Sequence, residues 1–188
     1  QENKSLKEKI FELESRNLQC GIIEQQNLEL KNLLSRDDKE KYMVASIILK
    51  PPQAPYDTLL LDAGLDNGIE KGMMVTAYGN VLIGYVVDVF FQTSKIKLIS
   101  FEGEEINVVL QPLGISAIAI GRGGENFEIV FPRSVEVKSG DLVTTSGMKP
   151  LVVGIAERVE VNISDAFQKI LFRIPLNIQE LKYVMIKI

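Results

Sequence analysis

Hydrophobic residues along the chain follow two rhythms. Over residues 1–35 they step by four and three: Leu6, Ile10, Leu13, with Asn17 and Cys20 continuing the register. That spacing lays them along one face of an α-helix, and the narrow alternating stripe is the seam of a coiled coil. With Leu6 at heptad position d, Ile10 falls at a, Leu13 at d, Asn17 at a and Cys20 at d. The seam resumes at Ile23, Asn27, Leu30 and Leu34, so one step of three stands where four is due. Such a stammer overwinds a coil locally, and Gly21 lies inside it. Ile at a with Leu at d favours two parallel strands, and a buried Asn at a fixes register. Asn17 and Asn27 therefore predict a parallel homodimer. Cys20 reads as a small apolar seam residue, with a crosslink between protomers as the alternative. An amphipathic helix packed on its own domain is the other reading of the segment. The charged run Ser35–Glu40 ends it, giving a coiled-coil dimerisation helix over residues 1–36.

From Tyr42 onward the apolar runs shorten, become β-branched and alternate with glycine-containing turns, the pattern of a β protein. Strands are predicted near 43–49, 57–62, 73–78, 81–90, 95–100, 105–110, 115–120, 127–131, 142–145, 151–160, 168–174 and 183–188. Within them one cassette occurs twice. Gly72, Val75, Thr76 and Gly79 recur 68 positions later as Gly140, Val143, Thr144 and Gly147. Gly84 and Val89 recur 70 positions later as Gly154 and Val159. Internal repetition sets architecture before any local feature does. The predicted fold is mainly β with an N-terminal α-helix: a long coiled-coil helix, then two tandem small β-barrels of about six strands each, closed so that no edge is exposed. The first barrel is expected over 42–110 and the second over 111–188, with a seam near Leu110–Gly114. The last strand is open to pairing with the first barrel. Gly84 and Gly154, inside strands, predict bulges or barrel corners.

Charge and composition narrow the chemistry. The net charge of −4 is spread along the chain, so no basic stripe is present for nucleic acid. The sequence has no histidine, which removes the commonest general base and metal ligand. Its single cysteine permits no intrachain disulfide and no thiolate metal site. Gly121-Arg122-Gly123-Gly124-Glu125-Asn126 lacks the lysine of a phosphate loop and reads as a hairpin turn. Asp62, Asp66 and Glu70 do not match a calcium loop. Thr145-Ser146-Gly147 resembles a nucleophile turn without a base. The reading is a non-enzymatic protein with no catalytic, cofactor-binding or metal site. The apolar runs fall short of the roughly 18–20 residues of a membrane helix. The sequence opens inside a helical pattern, so a fragment lacking its N-terminal portion is expected.

What remains is surface. Phe90 and Phe91 are adjacent, and neighbours on a strand face opposite sides, so one is expected to point outward. With Tyr56, Tyr78, Phe127 and Phe131 they form the expected partner-binding set, because exposed aromatics mark protein-binding faces; Phe167 also lies near a strand end.

The run Tyr56-Asp57-Thr58-Leu59-Leu60-Leu61-Asp62-Ala63-Gly64-Leu65-Asp66-Asn67-Gly68-Ile69-Glu70-Lys71-Gly72-Met73, following a coiled coil, resembles the signature of the MreC family of bacterial rod shape-determining proteins. Gly84-Tyr85-Val86-Val87-Asp88-Val89 is similar to the family's next strand, Gly140 to Gly147 to its second signature, and Leu181 to Ile186 to its closing strand. The family's longer glycine-rich loop after the second signature is reduced here to Met148–Leu151. The resemblance implies a single-pass inner-membrane protein with its coiled coil and barrels on the periplasmic side, forming a parallel homodimer that assembles further. It implies a scaffold that binds and activates the elongation penicillin-binding transpeptidase for peptidoglycan synthesis, alongside MreD, MreB and RodA. It carries no catalytic residues. The competing expectation is a periplasmic adaptor of a transport or efflux complex; the single N-terminal helix argues against it, since such adaptors insert a helical hairpin within the β domain.

Overall fold

The computed structural model describes residues 2–33, 41–55, 57–147, 149–161 and 165–188. Helix α1 runs from Glu2 to Leu33 and belongs to a unit of its own, Gln1–Glu40; the second unit is Lys41–Ile188. On α1 the side chains of Leu6, Ile10, Leu13 and Ile23 are all exposed.

The second unit holds twelve strands among the described residues. They are β1 (Tyr42–Leu49), β2 (Thr58–Leu61), β3 (Met74–Ala77), β4 (Val81–Val89), β5 (Ser94–Leu98), β6 (Glu105–Leu110), β7 (Ile115–Gly123), β8 (Asn126–Pro132), β9 (Leu142–Thr145), β10 (Val152–Val161), β11 (Phe167–Arg173) and β12 (Tyr183–Lys187). Pairing β1–β2–β5–β4–β3–β12 returns to β1 and closes a six-strand barrel. Pairing β6–β7–β8–β11–β10–β9 returns to β6 in a second ring. All pairs within the rings are antiparallel; a single parallel pair, Val152 with Val81, joins β10 to β4.

The final strand thus lies in the first ring, between β1 and β3. The expected seam does not divide the rings. Leu110–Gly114 is the turn from β6 into β7, with the Gly114 amide donating to the Leu110 carbonyl (2.9 Å), and β6 pairs wholly within the second ring. The crossing falls earlier, between β5 and β6. The difference follows from the closing strand of the first ring, which comes from the chain's end, so that only β1–β5 of that ring precede the crossing.

Each ring encloses an apolar core. The first contains Leu59, Leu61, Ile69, Ile83, Ile96, Leu98 and Ile186. The second contains Leu110, Ile129, Val143, Val153 and Ile170, with Phe127 stacked on Phe172 at 4.8 Å between centroids. Strand β4 belongs to both: Ile83 faces the first core, while its neighbour Leu82 faces the second. A strand buried on both sides needs continuous rather than alternating apolar residues, which accounts for the run Val81-Leu82-Ile83.

The sequence repeat is a repeat of hydrogen bonds. Gly72 N–H donates to Val86 C=O at 2.8 Å, and Gly140 N–H to Ala156 C=O at 2.8 Å. The returning bonds, Val86 to Met73 and Ala156 to Asp141, measure 3.0 and 2.9 Å. The Asp141 carboxylate accepts from Lys138 N–H at 2.8 Å; at the matching place in the first ring the Met73 sulfur faces the Glu70 amide at 3.3 Å. Each cassette folds back on the strand carrying Gly84 or Gly154, and both strands show a register shift beside that glycine.

Among the described residues, two buried hydroxyls, Ser94 Oγ and Ser100 Oγ, have no hydrogen-bond partner. An unpaired buried hydroxyl costs about 1–3 kcal/mol in desolvation. Ser94→Ala is therefore expected to raise stability by about 1 kcal/mol in urea unfolding; a loss of stability would mean that the hydroxyl has a partner in solution.

Candidate interaction surfaces

The Phe90-Phe91 pair is built by two turns locked together. Strand β4 ends at Val89 and β5 begins at Ser94, with Phe90 N–H donating to Thr93 C=O at 2.8 Å. A 3-10 turn at Leu65–Asn67 then donates into that loop, Leu65 N–H to Phe90 C=O (2.9 Å) and Asp66 N–H to Phe91 C=O (3.1 Å). The approach is close enough that a Cβ on Gly64 would lie 2.4 Å from the Phe90 oxygen and 2.6 Å from the Thr93 nitrogen. With both carbonyls turned inward to these donors, both rings point outward: Phe90 is 54% exposed, Phe91 69% and the adjoining Leu65 58%. Strand alternation predicts one outward ring; the structure gives two, because the pair occupies a turn and not the strand. An exposed apolar cluster on a backbone held by three hydrogen bonds loses little conformational entropy on binding.

Tyr78 is the next most prominent aromatic. It is 78% exposed and stands in the left-handed region (φ 49°) where β3 turns into β4. It lines a shallow groove with Val44, Tyr183 and Met185. Val44 and Met185 are directly paired across β1 and β12 on the barrel's outer surface. On β4, burial first and the Glu104 carboxylate second push the Tyr85 phenol above the ordinary tyrosine range.

Phe127 and Phe131 are corrected. They are 1% and 4% exposed and belong to the core of the second ring, because they occupy inward positions of β8. Tyr56 lies outside the described residues. Of the dimerisation set, Leu6, Ile10, Leu13, Asn17, Cys20 and Ile23 are exposed on α1. Asn27 and Leu30 lie on the helix with side chains outside the description, and Leu34 is outside the described residues altogether.

A third surface enters the expectation only through Phe167. Ile118, Val130 and Phe167 are about half exposed on the outside of the second ring. The register of β7 with β8 places Ile118 beside Val130, and β11 places Phe167 opposite Pro132. At one end the Glu128 carboxylate, only 10% exposed, accepts from Arg122 (2.9 Å) and faces Lys169 (3.4 Å). The signal was available: in Ile118-Ala119-Ile120 both outward positions are isoleucine, where a solvated face takes polar residues.

Among the described residues no group of three or more metal-ligating side chains occurs. Gly121–Asn126 is the β7–β8 hairpin, with Gly123 paired to Asn126. The Asp62 carboxylate accepts from Ser46 N–H at 2.6 Å and so acts on the backbone. No described helix is long and apolar enough to cross a membrane.

Two closed β rings following a long helix, with apolar groups exposed on their outer walls, define a β-barrel protein. The family model described as "Rod shape-determining protein MreC, barrel core" matches residues 47–187. The cell shape-determining protein MreC of Caulobacter vibrioides is 31% identical over 149 residues, 78% of this chain and 43% of the relative. An MreC structure from Listeria monocytogenes superposes with a TM-score of 0.79 at 24% identity, over 99% of this chain and 95% of the other. A complex between Penicillin-Binding Protein (PBP2) and MreC from Helicobacter pylori contains a chain that superposes at TM-score 0.57 and 16% identity, over 79% of this chain and 98% of the other. The chain belongs to the MreC family of rod shape-determining proteins. It spans about half the length of the curated relatives it matches, 43%, 55% and 48% of the three.

Proposed function

We propose that this chain is the periplasmic part of a non-enzymatic cell-shape scaffold, which dimerises through α1 and binds and activates the elongation penicillin-binding transpeptidase during peptidoglycan synthesis. The observation that carries the reading is the Helicobacter pylori complex, in which an MreC of the same fold is bound to a penicillin-binding protein. The native protein is anchored in the inner membrane by a segment preceding α1, and MreD, MreB and RodA join the same assembly. Activation is a population shift: the scaffold binds one conformation of the transpeptidase better than another and draws the enzyme into it. The docking surface in this reading is the Leu65, Phe90 and Phe91 cluster, whose rigid exposed aromatics have the character of a binding hot spot. The test is direct binding of this chain to the purified periplasmic region of the transpeptidase, with glycan crosslinking followed in the same mixture. Saturable binding that raises crosslinking supports the scaffold; binding to an efflux component instead of the transpeptidase favours the adaptor reading.

Dimerisation has its own check. Removing residues 1–35 is expected to convert a dimer to a monomer in multi-angle light scattering, since the seam residues Leu6, Ile10, Leu13, Ile23, Leu30 and Leu34 all leave with the segment. A dimer that survives the deletion would place the interface in the barrels.

A further inference from the structure

The chain passes between the rings twice, from β5 to β6 and from β11 to β12. The tip of the β7–β8 hairpin is bonded to both passages. Gly123 N–H donates to Ser100 C=O at 2.7 Å in the first, and Ile174 N–H donates to Glu125 C=O at 3.1 Å in the second. Two side chains add to these backbone bonds, one from each ring. The Asp57 carboxylate, just ahead of β2 in the first ring, accepts from Gly124 N–H at 2.9 Å. The Glu125 carboxylate, on the second ring's hairpin, accepts from Ile178 N–H at 3.0 Å. Ile178 is 1% exposed and packs in the core of the first ring. Each ring therefore lends a carboxylate to a backbone amide of the other.

The backbone at these two residues is unusual. Among the described residues, three that are not glycine have positive φ: Asp57 (44°), Tyr78 (49°) and Glu125 (71°). Two of the three are the carboxylates just named. Glycine is the ordinary occupant of such positions, and other residues are held there only when the surroundings over-determine them. What Asp57 and Glu125 supply, and glycine does not, is an acceptor that reaches the opposite ring.

We propose that Asp57 and Glu125 form a reciprocal carboxylate clasp that fixes the angle between the two rings. The rings also share apolar contacts around Leu82 and Ile99, and one parallel strand pair. Apolar burial is non-directional, and the strand pair is one point of attachment, with Val152 N–H donating to Asn80 C=O at 2.8 Å, so a second directional contact is needed to fix an angle. Hydrogen bonds to charged acceptors are directional and comparatively strong. The clasp thereby sets the spacing between the Phe90-Phe91 turn on the first ring and the Ile118–Val130 face on the second. A partner that touches both surfaces binds the clasped arrangement, and a partner that touches one does not depend on it. The clasp stands independently of which partner binds.

Double electron–electron resonance tests it. The full chain carries Cys20→Ser with nitroxides at Glu70→Cys and Ser139→Cys, two exposed sites on different rings, and is diluted into unlabelled chain so that only distances within one protomer are read. The clasped protein is expected to give a single narrow distance distribution. Adding Asp57→Gly and Glu125→Gly together is expected to broaden or displace it, with the circular dichroism spectrum retained. Glycine relieves the left-handed backbone at both positions, so if the carboxylates merely decorated their turns the double variant would be folded, no less stable and unchanged in distance. That result overturns the clasp. Should the double variant not fold, each single variant is read by the same criterion.

Discussion

Gly154→Ala is expected to lower the stability of the β unit by about 3 kcal/mol, at the upper end of overpacking costs, and Gly84→Ala by a similar amount. A Cβ on Gly154 would stand 2.3 Å from Cδ2 of Phe172 and 2.7 Å from the Arg173 carbonyl oxygen. Phe172 cannot swing away, because it is 1% exposed and stacked on Phe127. A Cβ on Gly84 would stand 2.3 Å from the Lys97 carbonyl oxygen, and that backbone is paired on both sides, to β4 and to β2. The glycines thus do the same job against different obstacles, an aromatic ring in one case and a strand backbone in the other. The loss corresponds to a fall in Tm of about 6–12 °C for a domain of this size, measured by thermal denaturation monitored by circular dichroism. Gly72→Ala supplies the comparison. Its φ of +86° makes alanine strained, but nothing lies within 4 Å of the added Cβ, so about 1 kcal/mol is expected, the scale of a left-handed backbone penalty. If Gly84→Ala and Gly154→Ala cost no more than Gly72→Ala, the close approach of the paired strands is not what selects glycine there.

That comparison shows which parts of the molecule were legible in the sequence. The repeated spacing of Gly72 with Gly84 and of Gly140 with Gly154 pointed to two like β units, and the structure realises both by the same pair of backbone bonds. Hydrophobic periodicity located every strand, since alternation and β-branching are local properties. Ring membership is not local. Strand β12 closes the first ring although the whole second ring precedes it in the chain, and no residue in Tyr183–Lys187 announces its partners. The surface was read less well than the strands. Strand alternation placed Phe90 and Phe91 on opposite faces, but alternation ends with the strand, and the inward turn of their carbonyls toward Leu65 and Asp66 sets their direction. Phe127 and Phe131 looked available because they lie near a strand's ends, yet alternation along β8 turns both inward. The same alternation turns Ile118 and Val130 outward, and their apolar side chains on that face mark it as a surface. The clasp between Asp57 and Glu125 leaves no trace in spacing, because each carboxylate answers an amide on the opposite ring.

Exchanging Phe90 and Phe91 together for serine is expected to weaken transpeptidase binding by about 30-fold or more, equivalent to the 2 kcal/mol or greater loss typical of a hot spot. Two features make this pair, and not Tyr78 or the Ile118 face, the residues with the larger expected effect. Both rings are more than half exposed on a loop fixed by bonds from Leu65 and Asp66, so they reach a partner without first being ordered. Their removal also leaves the barrel intact, because neither belongs to the core around Leu59, Ile83 and Ile96 and the loop's hydrogen bonds are all made by backbone atoms. The variant should therefore keep its unfolding midpoint within about 0.5 kcal/mol of wild type, as surface substitutions ordinarily do, while its affinity falls. Calorimetric titration against the transpeptidase measures the affinity, and urea unfolding of the same preparations measures the stability. Tyr78→Ser, on the opposite end of β4, serves as the matched loss of an exposed aromatic. Full affinity in the Phe90/Phe91 variant together with a loss in the Tyr78 variant would move the docking surface to the groove of Val44, Tyr183 and Met185. Full affinity in both would move it to the second ring, where Ile118 and Val130 are the next residues to replace.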